Sequence, residues 1–239
     1  MSDFVPQTYY TRDYFQGGHS DGYGDYEGSA DVLRAEFRDI LHLLKLHGAA
    51  GGQLLEIGCA FGFFLDVASE HFKVRGIEIS DAAASAARSR GHDVISGIAT
   101  VDNVGRDLDA VVMLDVIEHL QDPNAVIDLV AKALRPGGKL VVTTGDFGSA
   151  ISRLMGAKWR LMTPPQHLFF FTVQSLKSLL AARGLDVVSV EHPWKKVPLS
   201  LIGYQLQRMT GLPFSKLLNW QIGLPVNLFD ACRLVAQRR

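Results

Sequence analysis

An apolar run, Leu54-Leu55-Glu56-Ile57, breaks into Gly58-Cys59-Ala60-Phe61-Gly62, and sixteen residues after Gly62 a second apolar run closes on an acid, in Gly76-Ile77-Glu78-Ile79-Ser80. A run of strand length that ends in a glycine-spaced turn and feeds a helix puts main-chain N–H groups and a helix start at the carboxyl end of a strand. Open α/β sheets bind nucleoside ligands at that place. The acid closing the next run stands where a ribose-hydroxyl acceptor belongs, and a charged hydrogen bond of that sort contributes roughly 1.5–3 kcal/mol. The pattern therefore points to a site for an adenosine-type cofactor.

The rest of the chain supplies the sheet that such a site needs. Strand-like runs are predicted over residues 53–57, 74–79, 92–95, 108–114 and 139–144. Helical segments fall between most of them, at 63–71, at 81–90 with Ser80 as cap, and at 123–134, where Pro123 fits a first turn and Pro136-Gly137-Gly138 ends the element. Alternation of this kind means a parallel sheet with helices on both faces. Ahead of it, Ser29 can cap a helix whose apolar positions Leu33, Phe37, Ile40, Leu41 and Leu44 recur at helical spacing as far as Gly48. The first 28 residues are rich in Tyr and Gly, too glycine-rich for a helix and too aromatic for an ordinary disordered tail, so they are expected to dock on the fold.

After Thr144 the rhythm changes. A loop-rich segment to Phe171 carries Trp159, Pro164, Pro165 and His167; a helix over 173–183 and a strand over 185–191 follow. An apolar stretch at 197–224 precedes a last strand at 227–237. The division expected is an N-terminal lid segment and helix over 1–48, then one core domain over 49–239 with an apolar insertion at 197–224.

Composition narrows the partners. With 239 residues and a formal net charge of -1, acids and bases interspersed, the chain has no electrostatic footprint for nucleic acid or anionic membrane. A small molecule is the expected partner. Two distant cysteines, Cys59 and Cys232, suggest no disulfide framework, and no apolar run reaches the ~18 residues that a membrane span requires. A cytoplasmic location is expected.

Four landmarks now carry a resemblance: the glycine loop from Glu56 to Gly62, the acid Glu78, Leu114-Asp115-Val116-Ile117-Glu118-His119-Leu120 after the fourth strand, and Leu134-Arg135-Pro136-Gly137-Gly138-Lys139-Leu140 before the fifth. Together they resemble the class I S-adenosylmethionine-dependent methyltransferases, in particular the bacterial small-molecule group, over residues 54–185. The resemblance implies a Rossmann-like, doubly wound, seven-stranded sheet of order 3-2-1-4-5-7-6 with the seventh strand antiparallel, which gives the 227–237 strand its place. It implies S-adenosyl-L-methionine as cofactor, S-adenosyl-L-homocysteine as product, and methyl transfer to an O or N atom of a sugar, polyketide or quinone-like acceptor. The loop departs from the family pattern at Ala60, where a glycine is usual; the alanine is expected to fit with a negative φ. A nicotinamide oxidoreductase is disfavoured, since Gly58 and Gly62 lack dinucleotide spacing and Glu56 would be poorly placed beside a pyrophosphate. A non-catalytic protein that keeps only the donor site stays open.

The resemblance assigns the donor to Glu56, Gly58, Cys59, Ala60, Phe61 and Gly62, to Glu78 and Ile79 at ribose and adenine, to Ile98 and Ala99 beside the adenine, and to Leu114 and Asp115 at the methionine end. Catalytic candidates are His167, in Pro164-Pro165-Gln166-His167-Leu168-Phe169-Phe170-Phe171, and His119. Each stands either as a general base or as a histidine that holds its loop. Asp115, Glu118 and His119 approach the Glu-x-x-Glu-His pattern of ubiquinone-biosynthesis O-methyltransferases, where it would serve Mg²⁺; a short acid-rich turn is the commoner explanation, and no metal is assigned. Met155, Trp159 and Phe169 are candidates for an acceptor wall, Tyr9, Tyr10, Tyr14 and Phe15 for a lid that excludes water, and 197–224 for a pocket cap or a homodimer contact.

Overall fold

The computed structural model describes residues 9–15, 26–28, 30–198 and 223–239. After a short turn of helix, α1 (Arg12–Phe15), the chain forms α2 (Ala30–Leu46), β1 (Gly52–Ile57), α3 (Phe63–Ala68), β2 (Phe72–Glu78), α4 (Asp81–Ser89), β3 (Val94–Ser96) and β4 (Leu108–Leu114). It continues with α5 (Pro123–Ala133), β5 (Leu134–Gly145), α6 (Ala150–Met155), α7 (Val173–Ala181), β6 (Leu185–Glu191), β7 (Lys195–Pro198), β8 (Gly223–Val226) and β9 (Ala231–Arg238). The main sheet has seven strands in the order β3-β2-β1-β4-β5-β9-β6. β9 runs antiparallel to both β5 and β6, so the expected strand order and the single reversed strand are observed.

Period-two alternation in the central strands divides the core. Val111, Met113, Leu140, Val142 and Leu234 face one layer, with Ile127, Val130, Leu176 and Leu180 from α5 and α7. Their neighbours Ala110, Val112, Val141 and Val235 face the other, with Ile40, Leu41 and Leu44 of α2 and Phe64 of α3. A central strand buried on both faces needs apolar residues at every position, which is why these runs are continuous rather than alternating in the sequence.

Two local expectations are corrected. The Pro136-Gly137-Gly138 turn does not end α5, which stops at Ala133, and does not delay the strand: β5 begins at Leu134, paired with Leu108, and the register then jumps to Ala110 with Lys139, so the turn bulges out of one interrupted strand. A side chain on Gly138 would stand 2.9 Å from the carbonyls of Arg135 and Leu108, an approach that only glycine permits. The loop-rich segment 145–171 also holds α6, which Ser149 caps by accepting from the Ser152 N–H. Ala60 has φ of 45° rather than a negative value. The turn between β1 and α3 winds into the left-handed region at Gly58, Ala60 and Gly62 alike, and the alanine follows its neighbours there in spite of its Cβ. Ser29 and most of the apolar stretch, 199–222, lie outside the described residues; the ends of that stretch pair antiparallel as β7 and β8.

Candidate active site

At the carboxyl ends of β1 and β2, two acids are buried together. Glu56 is 3% and Glu78 is 5% exposed. Glu78 accepts from the Ala60 N–H and the Ser80 N–H, each at 2.8 Å, so one carboxylate pins the glycine loop and the start of α4. Burial raises its pKa, an effect that these main-chain bonds partly offset. Glu56 has no such support: burial first, and the neighbouring charge of Glu78 second, push its pKa well up, and its Oε2 lacks a hydrogen-bond partner. Around the two acids lie Cys59, Ala60 and Phe61, all buried, with Leu114 and Asp115 half-buried at the end of β4. Asp115 sits at φ 53°, its N–H donating to the Thr143 carbonyl. Ile98, after β3, leaves an apolar side chain 58% exposed beside half-buried Ala99. Gly58 serves its own scaffold, because a Cβ there would collide with Val116.

Beyond Asp115, a single turn of 3-10 helix over Ile117–His119 brings Glu118 and His119 inward. The loop that carries His167 is stitched to it, as the N–H groups of Leu168 and Phe169 donate to the Glu118 carbonyl at 2.9 and 3.2 Å. The two imidazoles consequently meet edge to face, with centroids 4.7 Å apart. His119 Nδ1 lies 2.9 Å from the Gln166 carbonyl and His167 Nδ1 lies 2.7 Å from the Leu161 carbonyl. A carbonyl only accepts, so both Nδ1 atoms carry the proton and both Nε2 atoms keep a lone pair. Burial lowers both pKa values and so favours the neutral rings. Glu118 is 4% exposed, with its Oε2 unpartnered. Its burial, reinforced by the charge of Asp115, pushes its pKa up to about 7. Glu118, His119 and His167 each offer a ligand atom within 4.8 Å of the others.

The aromatic N-terminal segment packs over both halves. Tyr14, Phe15 and Tyr26 share one buried cluster with Ala60, Phe61 and Phe63, and the Tyr10 hydroxyl reaches His119 Nδ1 at 2.9 Å. Trp159 is 3% exposed, and its indole N–H donates to Asp230 at 3.0 Å. Phe169 is more open, stacked on Phe171. Gln166 escaped attention in the sequence because nothing local marks it, yet it is 3% exposed and its side-chain amide donates to the Tyr14 hydroxyl.

The family described as methyltransferase domain matches residues 31–190. The chain is 28% identical over 184 residues to a ubiquinone biosynthesis O-methyltransferase from Cupriavidus pinatubonensis, covering 70% of this chain and 72% of that protein. Matches to two further proteins of that name span 65% and 53% of their lengths. Among solved structures, a SAM-dependent methyltransferase from Archaeoglobus fulgidus superposes with a TM-score of 0.61 at 18% identity, covering 88% of this chain and 95% of that one. Magnesium protoporphyrin IX methyltransferase from Synechocystis, with bound SAH, superposes at 0.60 and 14% identity, over 95% and 94% of the two chains. Among the described residues no helix is long and apolar enough to cross a membrane.

Proposed function

The chain belongs to the methyltransferase domain family, and from that premise we propose that it transfers the methyl group of S-adenosylmethionine to an oxygen or nitrogen of a small-molecule acceptor, a sugar, polyketide or quinone-like metabolite. One observation carries the choice of donor. Glu56 and Glu78 are buried side by side, Glu56 keeps an unpartnered oxygen, and among the described residues no ion pair joins either acid to a cationic side chain. A buried acid with an unpartnered oxygen, as Glu56 is, suits a cationic ligand, and the donor carries two positive groups, a sulfonium and an ammonium. Glu78 grips the ribose hydroxyls, Ile79, Ile98 and Ala99 flank the adenine, and the loop from Gly58 to Gly62 with Leu114 and Asp115 holds the methionine end.

Methyl transfer from a sulfonium is an in-line displacement whose leaving group needs no proton. The protein therefore has to align the acceptor atom about 3–3.5 Å from the methyl carbon, exclude water and receive the acceptor's proton. The Nε2 lone pairs of His119 and His167 receive that proton, with Glu118 beside them. The test is incubation with methyl-labelled S-adenosylmethionine and a panel of phenols, sugars and amines. Labelled product from any of them supports the reading. Donor binding without product on the whole panel favours a protein that only binds the donor, and NADH binding in place of donor binding favours an oxidoreductase.

A second reading rests on the convergence of Glu118, His119 and His167. The orphaned Glu118 Oε2 and two ring nitrogens with lone pairs fit a divalent cation, which when bound would acidify an acceptor hydroxyl. Two nitrogen donors suit Zn²⁺ or a similar transition ion better than Mg²⁺. Calorimetric titration with Zn²⁺ and Mg²⁺ decides: one equivalent of Zn²⁺ bound, and lost in His167→Gln, supports it, and no heat from either ion removes it.

A further inference from the structure

The segment Tyr9–Phe15 touches the donor loop at one end and the acceptor-side histidine at the other. Phe15 meets Phe61 of the donor loop edge to face at 5.1 Å, and Tyr26, whose N–H donates to the Phe15 carbonyl at 3.1 Å, lies 5.5 Å from the same ring. Five residues before Phe15, the Tyr10 ring stands edge-on to His119 at 5.8 Å, its hydroxyl 2.9 Å from Nδ1. Since the Gln166 carbonyl already fixes a proton on that nitrogen, the Tyr10 oxygen is a second acceptor for it. Tyr14, between the two, takes a hydrogen bond from Gln166, the residue whose carbonyl holds His119. Tyr14 and Phe15 are buried at 6% and 5% exposure, and Tyr9, Tyr10 and Tyr14 interlock through ring contacts of 5.0 to 5.9 Å.

We propose that Tyr10 is a positioning residue for His119, and that the Tyr9–Phe15 segment is a clasp coupling the donor loop at Phe61 to the orientation and tautomer of that histidine. Excluding water needs only bulk over the donor; it does not need a hydroxyl aimed at the inner ring nitrogen of an acceptor-side imidazole, nor a second bond to the residue behind it. The clasp does both, and it leaves Nε2 as the nitrogen available to the acceptor. Coupling of this sort is reciprocal: a change at Tyr10 weakens the donor, and a change at Phe15 disturbs His119. The proposal rests on the methyl-transfer reading for the use made of His119, though not for the contacts themselves.

The test needs no acceptor. Wild type, Tyr10→Phe and Phe15→Leu are compared by calorimetry with S-adenosylhomocysteine and by ¹⁵N NMR of the histidine rings, with His119→Gln assigning the His119 signals. In wild type His119 is expected as the Nδ1–H tautomer. Tyr10→Phe, which keeps the ring and removes only the hydroxyl aimed at His119, is expected to shift the His119 ring signals and to weaken S-adenosylhomocysteine about three- to tenfold, as for loss of one ordinary hydrogen bond. Phe15→Leu, which does not touch His119, is expected to move the same His119 signals. His119 signals unchanged in both variants overturn the proposal, as does unaltered S-adenosylhomocysteine affinity in Tyr10→Phe. Wild type that gives no heat overturns the methyl-transfer reading instead, and the ring signals still decide the Tyr10 contact. Circular dichroism of each variant shows whether it keeps the wild-type fold, and the conservative Tyr10→Phe change keeps the ring packing.

Discussion

His119 and His167 face each other with ring centroids 4.7 Å apart at an interplanar angle of 68°, each turning its Nδ1 proton to a main-chain carbonyl and its lone pair away from it. On the proposed function these lone pairs receive the acceptor's proton, and positioned bases contribute about 10²–10⁴-fold to rate. His167→Ala is accordingly expected to reduce turnover on a responsive acceptor by about two to four orders of magnitude, with S-adenosylhomocysteine affinity unchanged because the donor half is untouched. A full rate in this variant would reduce His167 to a loop-holding residue.

Glu78 gives the sharpest affinity prediction. Its carboxylate already binds the Ala60 and Ser80 N–H groups, and it retains further lone pairs for the ribose. Replacement by Gln keeps the size but removes the charge and turns an amide donor toward one of those two N–H groups, so S-adenosylhomocysteine is expected to bind at least about 10- to 100-fold more weakly, the equivalent of one charged hydrogen bond. Calorimetry measures it, and wild-type affinity in Glu78→Gln would place the ribose elsewhere.

Ala60 is a glycine position occupied by alanine. At φ 45° a Cβ costs about 1–2 kcal/mol, against about 0.4–1 kcal/mol that glycine loses through the greater freedom of its unfolded chain. Ala60→Gly is expected to leave stability unchanged or raise it by about 1 kcal/mol, opposite in sign to an ordinary Ala-to-Gly change. Urea denaturation reads the difference, and a clear loss of stability would mean that the Cβ packs better than its backbone suggests.

Asp230 anchors the 145–171 segment to the start of β9. Burial opposes its ionisation, but Arg160, at 2.9 and 3.0 Å, and the Trp159 indole outweigh that and lower its pKa. A carboxyl whose folded pKa is depressed stabilises the fold above its unfolded pKa, and the contribution fades as pH falls through the folded value. Asp230→Ala is expected to cost about 2 kcal/mol at neutral pH, with the gap to wild type narrowing below about pH 4. A gap independent of pH would contradict this assignment.

The donor half was readable because its signals are local: strand, turn and helix follow each other within 54–81, and Ser80 caps α4 with its own hydroxyl on Ala83. The acceptor half is assembled from distant pieces. Nothing near His167 announces that its loop will donate to the Glu118 carbonyl, and nothing near Tyr10 announces His119. Nor does Trp159, an aromatic residue in a loop, carry any mark of the buried Asp230 that its indole bonds. Ala60 misled because φ follows the whole turn and not the residue. The Pro136-Gly137-Gly138 turn reads as a break in sequence, whereas pairing with β4 on both sides carries the strand through it.

Glu56 supplies the last prediction. With its pKa driven well above the ordinary carboxylate value by burial and by Glu78, it carries a larger share of protonated form in the free protein than an exposed carboxyl does. A cation placed beside it favours the carboxylate and lowers that pKa, so donor binding should expel a proton. The sign follows: affinity for S-adenosylmethionine rises with pH through the pKa of the free protein, then levels off once Glu56 is already ionised. S-adenosylhomocysteine keeps the ammonium but lacks the sulfonium charge, so it should release less. Calorimetry in two buffers of different ionisation enthalpy counts the proton directly. Glu56→Gln should abolish the release for both ligands, and equal release by the variant and the wild type would transfer the proton to another group, Glu78 being the nearest.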